Sequence, residues 1–291
     1  MGSSIKDTVD SGSVYIIAEI GQNHQGNLEH AKKLIQKAAE AGVNAVKSQK
    51  RHTRTLLTPD EYDRPYDSPN AFADTYGKHR DALELSVEQH LELKQVAEEL
   101  GLDYFVSPWD PVSASQMNEV GMPLMKIASA GITDKETIDA ACEGGAPLIF
   151  STGMSTEEEI EQAANWVREA GIEIKCILHC TSTYPAEFNQ LNLNYIPVLK
   201  QNYPDFIIGF SGHHRGISND IAAVTLGAKI IERHFTLDRT QKGSDHAASL
   251  EFPGLSKLVR DIRALELAMG DGIKRVYEQE LPMIEKLRRV K

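Results

Sequence analysis

The chain has 291 residues, 41% of them hydrophobic, enough to fill a sizeable core and ordinary for one large α/β domain. Its formal net charge of −11 argues against general nucleic-acid binding, because an anionic surface repels a phosphate backbone unless a strong basic patch overrides it. No apolar stretch approaches the roughly 20 residues of a membrane span, the start lacks a signal peptide's apolar region, and the three cysteines, Cys142, Cys176 and Cys180, lack zinc-site spacing and are odd in number, so a protein of the reducing cytoplasm is expected.

In chain order, residues 1–12 read as a flexible polar tail and 13–291 as a single domain. Eight short apolar runs follow: Val14–Glu19, Ala45–Gln49, Tyr104–Ser107, Leu124–Ala128, Pro147–Ser151, Cys176–His179, Phe206–Phe210 and Lys229–His234. Helical patterns separate almost all of them. Leu28–Ala41 ends before Gly42 and Glu88–Leu100 before Gly101. Thr156–Ala170 follows Ser155 as its cap, with acidic residues in the first turn, and closes at Gly171. Gly216–Leu226 and Leu255–Met269 complete the helices. The connection over 50–86 is too long for an ordinary barrel loop and holds Tyr62, Tyr66, Phe72 and Tyr76 among charges, which suits a lid or substrate loop. A β/α unit repeated eight times predicts a (β/α)8 TIM barrel.

In such a barrel the C-terminal ends of the strands build the site. Nearly every run here ends in a polar residue: Glu19, Lys47, Ser107, Lys126, Ser151, His179, Ser211 or His234. A single lysine at a strand end can simply snorkel to water, and a serine can cap a helix. Lys47 and Lys126 together, joined by Ser107, Ser129, Ser151 and Ser211, point to an oxyanion or phosphate cradle. His213 and His234 fall at the ends of runs seven and eight. Neighbouring strands lie about 4.8 Å apart, a spacing that suits two ligands on one divalent ion with positions left for water and substrate. A lone histidine there would more often be structural. Glu19, on the neighbouring strand after closure, can supply an oxygen or act as a base, and Asp245-His246 adds ligand chemistry nearby.

These residues lie in motifs that resemble the sialic acid synthase family. Ala18-Glu19-Ile-Gly-Gln-Asn23-His24-Gln-Gly26-Asn, Val46-Lys47-Ser-Gln49, Ser151-Thr-Gly-Met-Ser155 and His179-Cys-Thr-Ser-Thr-Tyr184-Pro185 carry the first half of the likeness. Phe210-Ser211-Gly-His213, Glu232-Arg-His234-Phe-Thr-Leu-Asp and Gly243-Ser-Asp245-His246-Ala-Ala-Ser249-Leu-Glu251 carry the second, in order from about Val14 to Gly272. The resemblance implies a condensation of phosphoenolpyruvate with an N-acyl-hexosamine, N-acetylmannosamine or its 6-phosphate, giving a nine-carbon 2-keto-3-deoxy sugar acid and phosphate. It implies that Lys47, Ser107, Lys126, Ser129, Ser151, Ser182 and Ser211 hold phosphoenolpyruvate and that His213 and His234 bind Mn²⁺ or Mg²⁺. It further implies sugar contacts from Gln49, Tyr184 and Asp245, water activation by Glu19, and a homodimer.

The chain departs from that pattern in three places. Lys126-Ile-Ala-Ser129-Ala130-Gly131 has no carboxylate where the family usually carries Glu or Asp, so Glu19 is expected to take on more of the work. Ser48 replaces a usual Phe on the second strand. The sequence ends at Leu287-Arg-Arg-Val-Lys291, where most members continue into a small antifreeze-like domain that supplies an arginine to the sugar's acyl group, and that contact is expected to be lacking. In the long loop, Arg64-Pro65-Tyr66-Asp-Ser and Thr75-Tyr76-Gly77-Lys-His79 resemble the branch that uses a phosphorylated sugar. Arg51, Arg54, Lys78 and Arg80 are its candidate phosphate ligands, or else ordinary solvated charges. Alternatives that fit the same residues are a related synthase with another aldose acceptor, a Schiff-base aldolase using Lys47 or Lys126, and a non-catalytic sugar- or phosphate-binding barrel.

Overall fold

Successive side chains on a strand point to opposite faces, so a strand in a filled barrel must satisfy an interior and a helix layer at once. The sequence does this with two interleaved apolar sets. The computed structural model describes residues 5–290. Its eight strands are β1 (Tyr15–Gly21), β2 (Ala45–Lys50), β3 (Asp103–Pro108), β4 (Met125–Ile127), β5 (Leu148–Ser151), β6 (Ile174–Cys180), β7 (Ile207–Gly212) and β8 (Ile230–His234). All pair in parallel and in sequential order, and β1 closes on β8. The predicted (β/α)8 barrel is therefore the observed one.

One apolar set, including Ile16, Ala18, Val46, Val106, Ile127, Phe150, Ile177, Phe210 and Ile231, packs outward against the helices. The other fills the barrel interior: Tyr15, Ile17, Ala45, Phe105, Ile149, Cys176, Leu178 and Ile230. Two residues further along each strand, on the same inward side, the chemistry changes to Glu19, Lys47, Ser107, Ser151, Cys180 and Glu232. The barrel is thus apolar at its base and polar at its C-terminal mouth. Transferring apolar side chains from water stabilises the base by about 25 cal/mol per Å² buried, and this rigid floor holds the polar layer above it.

The N-terminal segment departs from expectation. Residues 1–4 lie outside the described residues, but Ile5–Asp10 is a helix with Ile5 and Thr8 buried. Ile5 joins the interior cluster and Val9, one turn on, packs against it, so this part of the expected tail is a plug beneath the barrel, held by two apolar side chains on one helix face. The helix expected after Ser155 instead takes Thr156 as its cap, with the Glu159 carboxylate returning the bond to the Thr156 N–H. The long 50–86 connection folds into three short helices, Thr53–Leu56, Pro59–Asp63 and Tyr76–Asp81. A bridge between Pro65 and Thr75 ties its middle together. Among the described residues no helix is long and apolar enough to cross a membrane.

Candidate active site

The mouth of the barrel encloses a cavity of about 170 Å³. Of the residues singled out from the sequence, Glu19, Lys47, Gln49, Ser107, Lys126, Ser129, Ser151, Ser182, Tyr184, Ser211, His213 and His234 all line it. Asp245 stands just behind, its Oδ2 3.9 Å from His234 Nδ1. Residues spread over more than two hundred positions converge because each ends a strand or begins the loop after it.

On one side Lys47 Nζ donates to Ser107 Oγ at 2.9 Å and ion-pairs with the Glu19 carboxylate. On the other, Lys126 Nζ lies 2.5 Å from Glu232 Oε1, which also accepts from Ser211 Oγ at 3.0 Å. All four charged side chains are buried. Neither lysine is a free cation, because each already faces a carboxylate. An anion entering the cavity would have to compete with Glu19 and Glu232 for them.

Glu232 is the functional residue that sequence reading passed over. A usable signal existed: Glu232 and His234 are two apart on β8 and so share an inward face. The two carboxylates are not equivalent. Burial, reinforced by the charge of Glu232, raises the Glu19 carboxyl in spite of Lys47. Burial works against Glu232 too, but Lys126 and Lys47 outweigh it and bring that group down to about 2. Glu19 is the readier proton acceptor and Glu232 the fixed counter-ion.

Ser129 Oγ accepts from the Gly153 N–H at 3.1 Å. A Cβ at Gly153 would come within 2.2 Å of Ser182 Oγ and 2.8 Å of Ser129 Oγ, so only glycine lets this loop approach both hydroxyls. Gly131 ends the turn Ser129–Gly131, and a Cβ there would meet only Ile127 at 3.6 Å. The position has room for a side chain but offers no carboxylate. Ser48, the other departure on a strand, places its hydroxyl 2.9 Å from Tyr104 Oη, which lies 2.8 Å from His90 Nδ1. A buried polar network thus occupies the place of an aromatic ring.

The ring centroids of His213 and His234 are 5.4 Å apart, and Tyr184 packs 4.2 Å from His213 and 5.8 Å from His234. His213 Nδ1 donates to the Thr181 carbonyl at 2.9 Å; burial would lower this imidazole, but Cys180 and the Thr181 carbonyl outweigh it and raise it, so a metal at Nε2 would have to displace a proton. His234 Nδ1 is buried without a hydrogen-bond partner, as are Ser151 Oγ and Glu232 Oε2. Burial, supplemented by His213 and Lys47, lowers His234 to about 3 despite the opposing Asp245, so its imidazole is neutral. Among the described residues no group of three His, Cys, Asp or Glu surrounds a common point. A divalent ion here would have the two imidazoles as its protein ligands, with its other positions left to substrate and water.

Two neighbouring residues on β6 take different roles. Cys180, which the sequence left without a role, lines the cavity with Sγ 3.8 Å from His213 Nδ1. Burial would raise this thiol, but His213 and Lys126 bring it to about 7. His179, one position earlier, faces away from the barrel axis, and its Nε2 lies 2.7 Å from the Leu191 carbonyl. It is a structural histidine, as the period of two along β6 requires.

The NeuB family profile matches residues 34–274. The chain belongs to the NeuB family. It is 39% identical over 273 residues to the human N-acetylneuraminate-9-phosphate synthase, covering 94% of this chain and 76% of that one. It is 38% identical over 277 residues to the N,N'-diacetyllegionaminic acid synthase of Campylobacter jejuni, covering 94% and 83%. Among solved structures, the N-acetylneuraminic acid (sialic acid) synthetase of Leptospira borgpetersenii in complex with citrate superposes with a TM-score of 0.80. That pair is 32% identical, with 96% of this chain and 93% of the other covered.

Proposed function

We propose that this NeuB family member joins phosphoenolpyruvate to an N-acyl-hexosamine, free or as its 6-phosphate, to give a nine-carbon 2-keto-3-deoxy sugar acid and phosphate. The observation that carries this reading is the layer of two lysine–carboxylate pairs and five serine hydroxyls set beside the His213 and His234 imidazoles. The names of the relatives support the same reaction class.

Lys47 with Ser107, and Lys126 with Ser129, Ser151, Ser182 and Ser211, bind the phosphate and carboxylate of phosphoenolpyruvate through charge-assisted hydrogen bonds. Gln49, Tyr184 and Asp245 orient the open-chain sugar with its aldehyde toward the histidines. His213 and His234 would hold Mn²⁺ or Mg²⁺, which when bound supplies Lewis-acid polarisation of the aldehyde oxygen. C3 of phosphoenolpyruvate forms the new bond to the aldehyde carbon, whose oxygen takes up a proton. Glu19, freed from Lys47 by the arriving anion, accepts a proton from the water that adds at C2, and phosphate then leaves with cleavage of its C–O bond. Glu232 keeps Lys126 protonated and in place.

A Schiff-base aldolase is disfavoured by the state of the lysine. Burial would lower Lys126, but the attraction of Glu232 prevails and raises it, and an ammonium is no nucleophile. The free, buried cysteines support a reducing compartment, the cytoplasm. The deciding experiment is phosphate release from phosphoenolpyruvate with Mn²⁺, comparing N-acetylmannosamine, its 6-phosphate, mannose 6-phosphate and arabinose 5-phosphate, with product masses read in parallel. Release with a product equal to acceptor plus pyruvate is expected. Binding of phosphoenolpyruvate without release from any acceptor would overturn the reaction and leave a binding barrel.

A further inference from the structure

Behind the wall of the cavity lies a buried cation that the reaction above does not use. Arg51 follows directly on β2 and is 4% exposed, so it is not the solvated loop charge that the sequence allowed. Its backbone N–H donates to Glu84 Oε2 at 2.9 Å, and its carbonyl accepts from Lys50 Nζ at 2.9 Å. Its NH1 stands 3.5 Å from Glu84 Oε1. The guanidinium lies 4.1 Å from the ring of Trp109, a residue that lines the cavity. Trp109 is tied to the same turn, its N–H donating to the Lys50 carbonyl at 3.0 Å. Taking a guanidinium out of water is unfavourable unless its donors are used, and here one of them is used on a residue of the site.

That donor is NH2, which reaches Gln49 Oε1 at 2.5 Å. Gln49 lines the cavity, and its Nε2 donates to Glu19 Oε1 at 3.0 Å. A guanidinium can only donate, so the amide turns its oxygen to Arg51 and its nitrogen to Glu19, with a second N–H left for a substrate. Glu19 alone would not hold this orientation through the proposed reaction. Once it takes up the proton of the adding water it becomes a donor itself and draws the amide oxygen instead. Arg51 keeps its charge throughout and stays a donor.

Resting on the proposed reaction, we infer that Arg51 is a positioning residue: by holding the carbonyl of Gln49 it keeps the Gln49 N–H set to donate to an oxygen of the acceptor sugar. Arg51 itself touches neither substrate in this scheme. Its effect runs through one amide, which makes it separable from a general brace of the loop.

The test is a double-mutant cycle on the full chain, Arg51→Met, Gln49→Met and the two together, with Arg51→Lys as the conservative variant. KM and kcat are read with phosphoenolpyruvate, Mn²⁺ and, in turn, N-acetylmannosamine and its 6-phosphate. Phosphoenolpyruvate affinity is read separately by calorimetric titration. Arg51→Met should raise the sugar KM about 10-fold, the loss of one oriented hydrogen bond, and leave phosphoenolpyruvate affinity as it was. Arg51→Lys should show a smaller rise, since an ammonium also donates to the amide oxygen. In the Gln49→Met background, removal of Arg51 should add less than about twofold, because no amide is left to orient. An Arg51 that only braces the loop would weaken both substrates, and would do so with or without Gln49. Either result overturns the inference, as does an unchanged sugar KM in Arg51→Met. Should Arg51→Met not fold, Arg51→Lys carries the same comparison, and its effect on the sugar KM must disappear without Gln49. These failures leave the condensation standing, whereas absence of turnover with either sugar removes the proposed reaction and this inference with it.

Discussion

At the scale of single residues, the site is organised by ion pairs that water would have dissolved. Taking Lys126 and Glu232 out of water costs several kcal/mol per ion, and their attraction returns that only with good geometry, so such a pair is weak evidence of stability. On the proposed reaction, its place in the mouth of the barrel gives it another use: to hold a lysine charged for the phosphoenolpyruvate anion. Lys126→Ala should weaken phosphoenolpyruvate binding by more than about 1.5 kcal/mol, the loss of a hydrogen bond to a charged group. Calorimetric titration of a variant shown to be folded by circular dichroism checks this, and unchanged affinity would remove Lys126 from the anion site. The histidines make a separate claim. Changing both His213 and His234 to alanine should abolish high-affinity Mn²⁺ binding measured by electron paramagnetic resonance, independently of turnover. Retained Mn²⁺ affinity would place the metal elsewhere.

At the scale of elements, the N-terminal helix Ile5–Asp10 is tied to the barrel by burial rather than by length. A six-residue helix is marginal by itself, so Ile5, 3% exposed among the interior apolar residues, decides whether it stays. Ile5→Ala should cost about 2 kcal/mol in urea denaturation, while a variant as stable as wild type would return the segment to the status of a tail. This element shows what the sequence did and did not disclose. The eight strands were legible because each needs apolar residues on two faces, and the polar residue closing each run marked the mouth. Ile5 was not, since it and Val9 make a single turn of pattern among polar neighbours, too short to read as a helix. The helices Pro111–Val120, Lys135–Glu143 and Tyr195–Asn202 were assigned only as connections between strands, their patterns being short and interrupted by serine, threonine and asparagine. Glu232 and Cys180 stood in recognised motifs, but their roles depend on which face each presents and on partners far away in sequence.

At the scale of the whole molecule, the barrel carries histidines in two kinds of place, and those outside the mouth set how the fold responds to acid. Burial, with His30 adding to it, lowers His24 to about 4, and burial, followed by His24 and Lys50, lowers His90 to about 3. Both groups are therefore neutral in the folded protein at pH 5, whereas an unfolded chain titrates them near the ordinary histidine value of 6.5. Above that value neither state binds the proton and the two residues contribute no pH dependence. Below it the unfolded state binds more protons than the folded one, so stability falls as pH falls, by about 1.4 kcal/mol per pH unit for each histidine. The fall from His24 continues to about pH 4 and that from His90 to about pH 3, where the folded groups begin to protonate as well. In urea denaturation between pH 7 and pH 4.5, His24 and His90 should supply ~3 kcal/mol per unit of the slope once pH drops well below 6.5, beside what His79 and His234, lowered by burial to about 4 and about 3, add to it. His90→Gln cannot take up a proton and keeps a polar group near Tyr104, so it should reduce the slope by about 1.4 kcal/mol per unit whatever it does to stability at pH 7. A wild type equally stable at pH 7 and pH 4.5, or a His90→Gln protein with the full slope, would mean that these histidines are hydrated or paired in ways the packed barrel does not allow.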